Sequence, residues 1–178
     1  AAGVESMTRA PYVMGKADSA FGRTQRLEDT TLGWRFVNPA LRAEYGVDSM
    51  PVTGDNVAHA YAISRADQDA FALRSQQRAA QASAAGYFAE EIVPVVIPGK
   101  HGETVIEADE HPRAGSTLAA LETLKPVNGP GQTVTAGNAS GVNDGACAMV
   151  LASADAVAKY GLTPRAKVLG MASGGVLP

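Results

Sequence analysis

The sequence predicts an α/β fold, and three observations carry that expectation. Residues 65–85, rich in Ala, Gln, Arg and Leu, lie between Ser64, suited to capping a helix, and Gly86, suited to stopping one. The runs 92–97, β-branched, and 146–152, continuously apolar, have the length and composition of strands. Between them a β-prone start at Thr133-Val134-Thr135 passes into Ala136-Gly137-Asn138-Ala139-Ser140-Gly141. That is the make-up of a tight polar loop held between buried elements, able to bring main-chain N–H groups close to a ligand.

Taken in order, residues 1–4 are short and apolar and read as a strand. Over 8–50 the periodicity is weak and is broken by Pro11, Gly15, Gly22, Gly33, Pro39 and Gly46. This stretch is an extended excursion that needs another surface for Tyr12, Phe21, Trp34 and Phe36, supplied either by the same chain or by a neighbouring subunit. A helix is expected over 53–62, with Val57 and Tyr61 on its apolar face. The longest helix follows Ser64, with Asp67 at its third position and Asp69 in its first turns, where acidic groups are favourable. Pro94 pushes the strand at 92–97 toward a sheet edge; 100–103 is its turn and 104–106 its return. Leu118, Leu121 and Leu124, three apart, mark a short helix beginning near Ser116 or Thr117. The run 146–152 reads as a strand buried on both faces. A helix from Ser153 or Asp155 to Tyr160 should end at Gly161, with a last strand over 166–171.

Composition narrows the function classes. With 178 residues, 46% of them hydrophobic, the chain can bury a core. Fifteen Lys and Arg against eighteen Asp and Glu give −3, so no global basic field attracts nucleic acid, and any attraction for phosphate must be local. No apolar run reaches the roughly 18 residues of a membrane span, and no leader-like segment opens the chain. One cysteine cannot form an internal disulfide, and with three scattered histidines it makes no spaced metal cluster. These counts suit a cytoplasmic protein without a resident metal.

Cys147 lies in Ala146-Cys147-Ala148-Met149-Val150, without the base or cation that activates a thiol, and reads as an inert buried residue. His59, His101 and His111 fall on a helix face, a turn and a charged loop, where solvated roles are expected.

The loop at 133–146 also resembles the corresponding loop of the thiolases, which cleave or form 3-oxoacyl thioesters of coenzyme A. Further matches follow in the family's order: Ala2-Gly3-Val4-Glu5-Ser6-Met7, Asp48-Ser49-Met50-Pro51, Ser64-Arg65-Ala66-Asp67-Gln68-Asp69-Ala70-Phe71-Ala72, Phe88-Ala89-Glu90-Glu91-Ile92-Val93-Pro94 and Gly170-Met171-Ala172-Ser173. The resemblance implies part of a layered α/β/α fold. It divides the chain into the end of an N-terminal core and the start of an oligomerisation excursion (1–37), a coenzyme A-binding loop domain (38–130), a return to the N-terminal core (131–160) and the start of a C-terminal core (161–178). Thiolases use a nucleophilic cysteine, a second cysteine and a histidine in a Gly-His-Pro motif. None of these is matched here, since His111-Pro112 follows Glu110, so the resemblance implies a central piece with its catalytic groups outside it and no activity of its own.

Carried over position by position, the resemblance places Arg113 beside the adenine and phosphates of coenzyme A, where a guanidinium can stack on a ring and pair with phosphate. It places Ala120 and Leu124 in the adenine-end pocket, with Ala120 standing where many members carry serine. Ala136 and Ser140 fall along the pantetheine arm, and Ser49 and Met50 near the acyl end, Ser49 where some relatives carry histidine. Gly33-Trp34-Arg35-Phe36-Val37-Asn38-Pro39 and Tyr45-Gly46-Val47-Asp48-Ser49-Met50-Pro51 most resemble members acting on 3-oxoadipyl-CoA in aromatic-compound degradation. The terminal carboxylate of such a substrate would suit Arg35 or Arg42, each of which could equally form a surface ion pair. Coenzyme A thioesters as substrates, no tightly bound cofactor and a homo-oligomer, a tetramer in the full-length family, complete the implication.

Overall fold

The computed structural model describes residues 1–175. Strands and helices follow in the order β1 (Ala2–Glu5), β2 (Tyr12–Met14), β3 (Leu27–Asp29), α1 (Pro39–Tyr45), α2 (Met50–Ala60), α3 (Arg65–Ala84), β4 (Val95–Gly99), β5 (Gly102–Ile106), α4 (Leu118–Glu122), β6 (Gly145–Ala148) and α5 (Ala154–Tyr160). They form two compact units, one of residues 48–141 and one of 1–47 with 142–178. Residues 133–135 are bonded into the first through Asp55 and Asn138.

Within 48–141 the helices begin where their caps dictate. The Ser64 side chain accepts the Asp67 N–H and donates to the Asp67 carboxylate at 2.6 Å, the expected start of α3. Gly86, at φ +77°, ends it: its N–H donates to the Ser83 carbonyl and that of Tyr87 to the Ala82 carbonyl, a backbone shape that disfavours a side chain. Helix α2 begins at Met50, earlier than the expected 53, because Pro51 in its first turn has a preset φ. Its inner face also differs from the expected one. Val57 and Tyr61 are 45% and 77% exposed, and Asp55 and Ala58 are buried instead.

Asp55 explains that reversal. Its carboxylate accepts Asn128 Nδ2 at 2.6 Å, the Thr133 N–H at 2.8 Å and hydroxyl at 2.9 Å, and the Val134 N–H at 3.0 Å. Burial by itself would raise the pKa of this group; the bonds from Asn128, Thr133 and Val134 outweigh it and hold the group down from the ordinary 3.8 to about 2. Among the described residues the buried apolar side chains, Ala58, Leu121 and Val134, all belong to this unit, together with buried Asp55, Asp69 and Thr135.

The hairpin β4–β5 is antiparallel, with Val95 opposite Ile106 and Gly99 opposite Gly102. Its first strand starts after Pro94 and not at 92, because the Ile92 N–H is taken by the Phe88 carbonyl and Pro94 has none to give. Helix α4, capped by Thr117, ends at Glu122, so Leu124 lies beyond it.

In the second unit, β1 pairs antiparallel with β6 and β2 with β3, each as a two-stranded sheet. The run 146–152 is not a doubly buried strand: β6 covers only Gly145–Ala148, all four exposed, and Cys147 is exposed with them. Among the described residues β1 is the sole strand beside it, and no layer covers either face. Nor do 166–171 form a strand; Val168, Leu169 and Met171 are 69%, 90% and 95% exposed, without a partner ladder. Tyr12, Phe21, Trp34 and Phe36 are all exposed, so the same chain does not bury them. Helix α5 runs between Ser153 and Gly161 as expected.

Asp55→Asn should destabilise unit 48–141 by about 2 kcal/mol, since a carboxylate oxygen that accepts three N–H or O–H groups is lost or turned into a donor. Because the folded pKa is depressed, the wild-type contribution is fully present above pH about 4 and is lost as pH falls toward 2. Urea denaturation at pH 3 and pH 7 checks both: the variant should unfold at lower urea at pH 7, and the gap should narrow at pH 3.

Candidate functional site

Three segments far apart in sequence converge near the start of α3. Asp69, 1% exposed, accepts Arg65 Nε at 2.7 Å and Asn138 Nδ2 at 3.0 Å. Arg65 spends its fork in two directions, because Nη2 donates to the carbonyls of Leu121 at 2.7 Å and Leu124 at 3.1 Å. Asn138 donates also to the Thr133 carbonyl at 3.0 Å and accepts the Thr135 N–H at 2.7 Å. The amides of Gly137, Asn138 and Ala139 are used inside the loop, on the hydroxyl and carbonyl of fully buried Thr135. These three amides therefore brace the loop rather than facing a ligand.

Beside this junction opens a cleft of about 720 Å³, a volume suited to a small-molecule group. Buried Leu121 and half-buried Leu124 give it an apolar floor. His111, Pro112 and exposed Arg113 line one side, and Ala136 with Gly137 another. Gly137 allows no side chain there: a Cβ would stand 2.5 Å from Leu121 Cδ2 and 2.6 Å from Leu124 Cδ1. The Arg113 backbone is fixed at both ends, its N–H donating to Gln76 Oε1 at 2.8 Å and its carbonyl accepting the Ser116 hydroxyl at 2.8 Å. Among the described residues its guanidinium has no carboxylate partner.

The structure brings Arg113, Ala120, Leu124 and Ala136 into this one cleft. Ser140 is exposed and does not line it. Ser49 and Met50 also stand apart, at the first turn of α2, where Met50 is 80% exposed. Sequence reasoning missed Gln76, Thr117 and Leu121 as lining residues; His111 is exposed, as expected, and also lines the cleft. The one available signal was Thr117 as a cap, which fixes the direction of α4; nothing local points Gln76 at Arg113, 37 residues away.

In the unit containing 1–47, Trp34, Phe36 and Arg42 line a second depression of about 970 Å³, bordered by an Arg26–Glu28 ion pair at 3.2 Å. Arg35 Nη1 donates to the Gly33 carbonyl. No group of three His, Cys, Asp or Glu among the described residues could hold a metal ion.

The cleft thus sets an apolar floor beside an exposed arginine whose backbone is held, on an α/β scaffold. Residues 1–155 match the family model of the thiolase N-terminal domain, and the chain belongs to the thiolase family. It is 74% identical, over its whole length, to the beta-ketoadipyl-CoA thiolase of Pseudomonas knackmussii, of which it covers 44%. It is 57% identical to the 3-oxoadipyl-CoA/3-oxo-5,6-dehydrosuberyl-CoA thiolase of Escherichia coli, covering 45%. Human mitochondrial 3-ketoacyl-CoA thiolase has a similar structure, with a TM-score of 0.75 and 39% identity over 92% of this chain and 40% of the human one. The same human enzyme in complex with CoA gives a TM-score of 0.73. The chain thus spans less than half the length of these curated relatives, and its α/β fold is that of a portion of a thiolase.

Gly137→Ala should displace Leu121 and Leu124 and cost about 1–3 kcal/mol, as overpacking does. A melting curve of the variant checks this, and an unchanged midpoint would mean the two leucines swing aside freely.

Proposed function

We propose that this chain is the coenzyme A-holding portion of a thiolase that splits 3-oxoadipyl-CoA with free coenzyme A into acetyl-CoA and an acyl-CoA shortened by two carbons. The observation that carries the reading is the cleft itself: Arg113 held by its backbone with a free guanidinium, next to the apolar Ala120, Leu124 and Ala136. A guanidinium serves the adenine and phosphate end of the ligand, and the apolar floor serves its ring and arm. Ser140 is proposed to meet the pantetheine arm, and Ser49 and Met50 the acyl end. The names of the relatives at 57% to 74% identity support the 3-oxoadipyl substrate.

In the parent enzyme a cysteine thiolate takes the acyl group, releasing acetyl-CoA, and the thiol of coenzyme A then removes it. This chain holds no matching nucleophile, and Cys147 lies exposed on β6, opposite Gly3. It is therefore proposed to bind coenzyme A without turnover. The exposed Tyr12, Phe21, Trp34 and Phe36 support a homo-oligomer in which a neighbouring subunit covers them.

Full-length parent enzyme assayed with 3-oxoadipyl-CoA and with acetoacetyl-CoA should prefer the first; a clear preference for the second removes the substrate assignment. Arg113→Ala should raise the KM for coenzyme A about tenfold with little change in kcat, and the effect should shrink at high salt, where screening weakens the wild-type attraction that the variant lacks.

A further inference from the structure

The polar residues that meet the walls of the cleft share one side of α3. Arg65, Asp69 and Gln76 are spaced four and seven apart, which at about 100° per residue confines them to an arc of about 40°. Each reaches a different part of the cleft. Arg65 bonds the carbonyls of Leu121 and Leu124 under the floor, Asp69 bonds Asn138 behind the wall of Ala136 and Gly137, and Gln76 bonds the Arg113 N–H.

We propose that Arg65, Asp69 and Asn138 are positioning residues for the ligand cleft, with the buried Asp69 carboxylate setting the separation of floor and wall. The inference rests on the proposed coenzyme A-binding reading and adds residues that do not themselves touch the ligand. Asp69 is 1% exposed, and its two oxygens are satisfied by Arg65 and Asn138. A shift of either partner leaves a buried oxygen without a donor, and the two walls are thereby coupled. Their approach is close: at Gly137 there is no room for a single carbon beside Leu121 and Leu124, so a small loss of register closes or opens the cleft. Simple structural glue would not need a planar fork aimed at one carboxylate and two carbonyls at once, which is a geometry lysine cannot copy.

Two variants of the full-length parent separate the arms of the network. Asn138→Ala removes the bond to Asp69 together with those to Thr133 and Thr135, and Arg65→Lys keeps a charge beside Asp69 but gives up the fork to the floor. Amide hydrogen exchange should quicken at 133–139 in the first and at 118–124 in the second, with the rest of unit 48–141 unchanged. Each should weaken coenzyme A binding in calorimetry about tenfold and raise its KM with kcat nearly constant. Exchange that quickens evenly through the unit, or not at all, overturns the positioning role, as does wild-type affinity for coenzyme A in both folded variants. Wild-type protein that takes up no coenzyme A defeats the binding reading alone, and the exchange pattern then still decides whether the network sets the walls. If one variant does not fold, the other carries the same test.

Discussion

A charged oxygen pair without water is the constraint on which unit 48–141 depends. Removing a carboxylate from water costs several kcal/mol, repaid only when its lone pairs meet well-placed donors. Asp69 meets that condition with one donor from its own helix and one from a loop 69 residues away. Arg65 then commits Nη2 to two carbonyls at the end of α4. A helix, a helix end and a loop are joined by groups that cannot be rearranged independently, because each altered bond leaves a buried polar atom unpaired.

Asp55 repeats the principle on α2, holding residues 128, 133 and 134. The loop that ends at the cleft is thus tied at its base by one buried carboxylate and near its tip by another. Such ties suit a unit whose buried apolar content is as small as Ala58, Leu121 and Val134. Apolar burial is non-directional and stabilises many arrangements nearly equally, whereas hydrogen bonds to a buried charge select one. Selection of one arrangement is what a binding cleft requires, and it leaves Arg113 with a fixed backbone and an uncommitted charge.

Among the described residues of the other unit no buried carboxylate plays this part. Its strand pairs leave hydrogen-bonding edges open, and its large aromatics face outward. Two-stranded sheets are marginal in water unless another layer covers them. Its best internal ties are short-range or exposed, such as the Asp144 carboxylate accepting the Thr8 hydroxyl at 2.6 Å, with its pKa lowered chiefly by that bond. In the longer relatives of the family, more than half of the length lies outside the portion matched here.

The sequence alone determined the α/β class, the family and those elements whose signals are local. Ser64 and Ser153 cap helices, Gly86 and Gly161 stop them, and the turn between β4 and β5 falls where expected, because each signal acts within a few residues. Motif order likewise brought Arg113, Ala120, Leu124 and Ala136 to attention before their convergence was visible. Only tertiary structure decided which face of α2 is buried, since apolar spacing favoured Val57 and Tyr61 whereas the inner position went to a carboxylate. It also decided that Asp69 is more than a favourable charge near a helix start, that Gln76 reaches Arg113, and that β6 lies exposed. A charge is buried, or a strand covered, by partners tens of residues away in the chain, and no residue's own neighbours in sequence record whether those partners arrive.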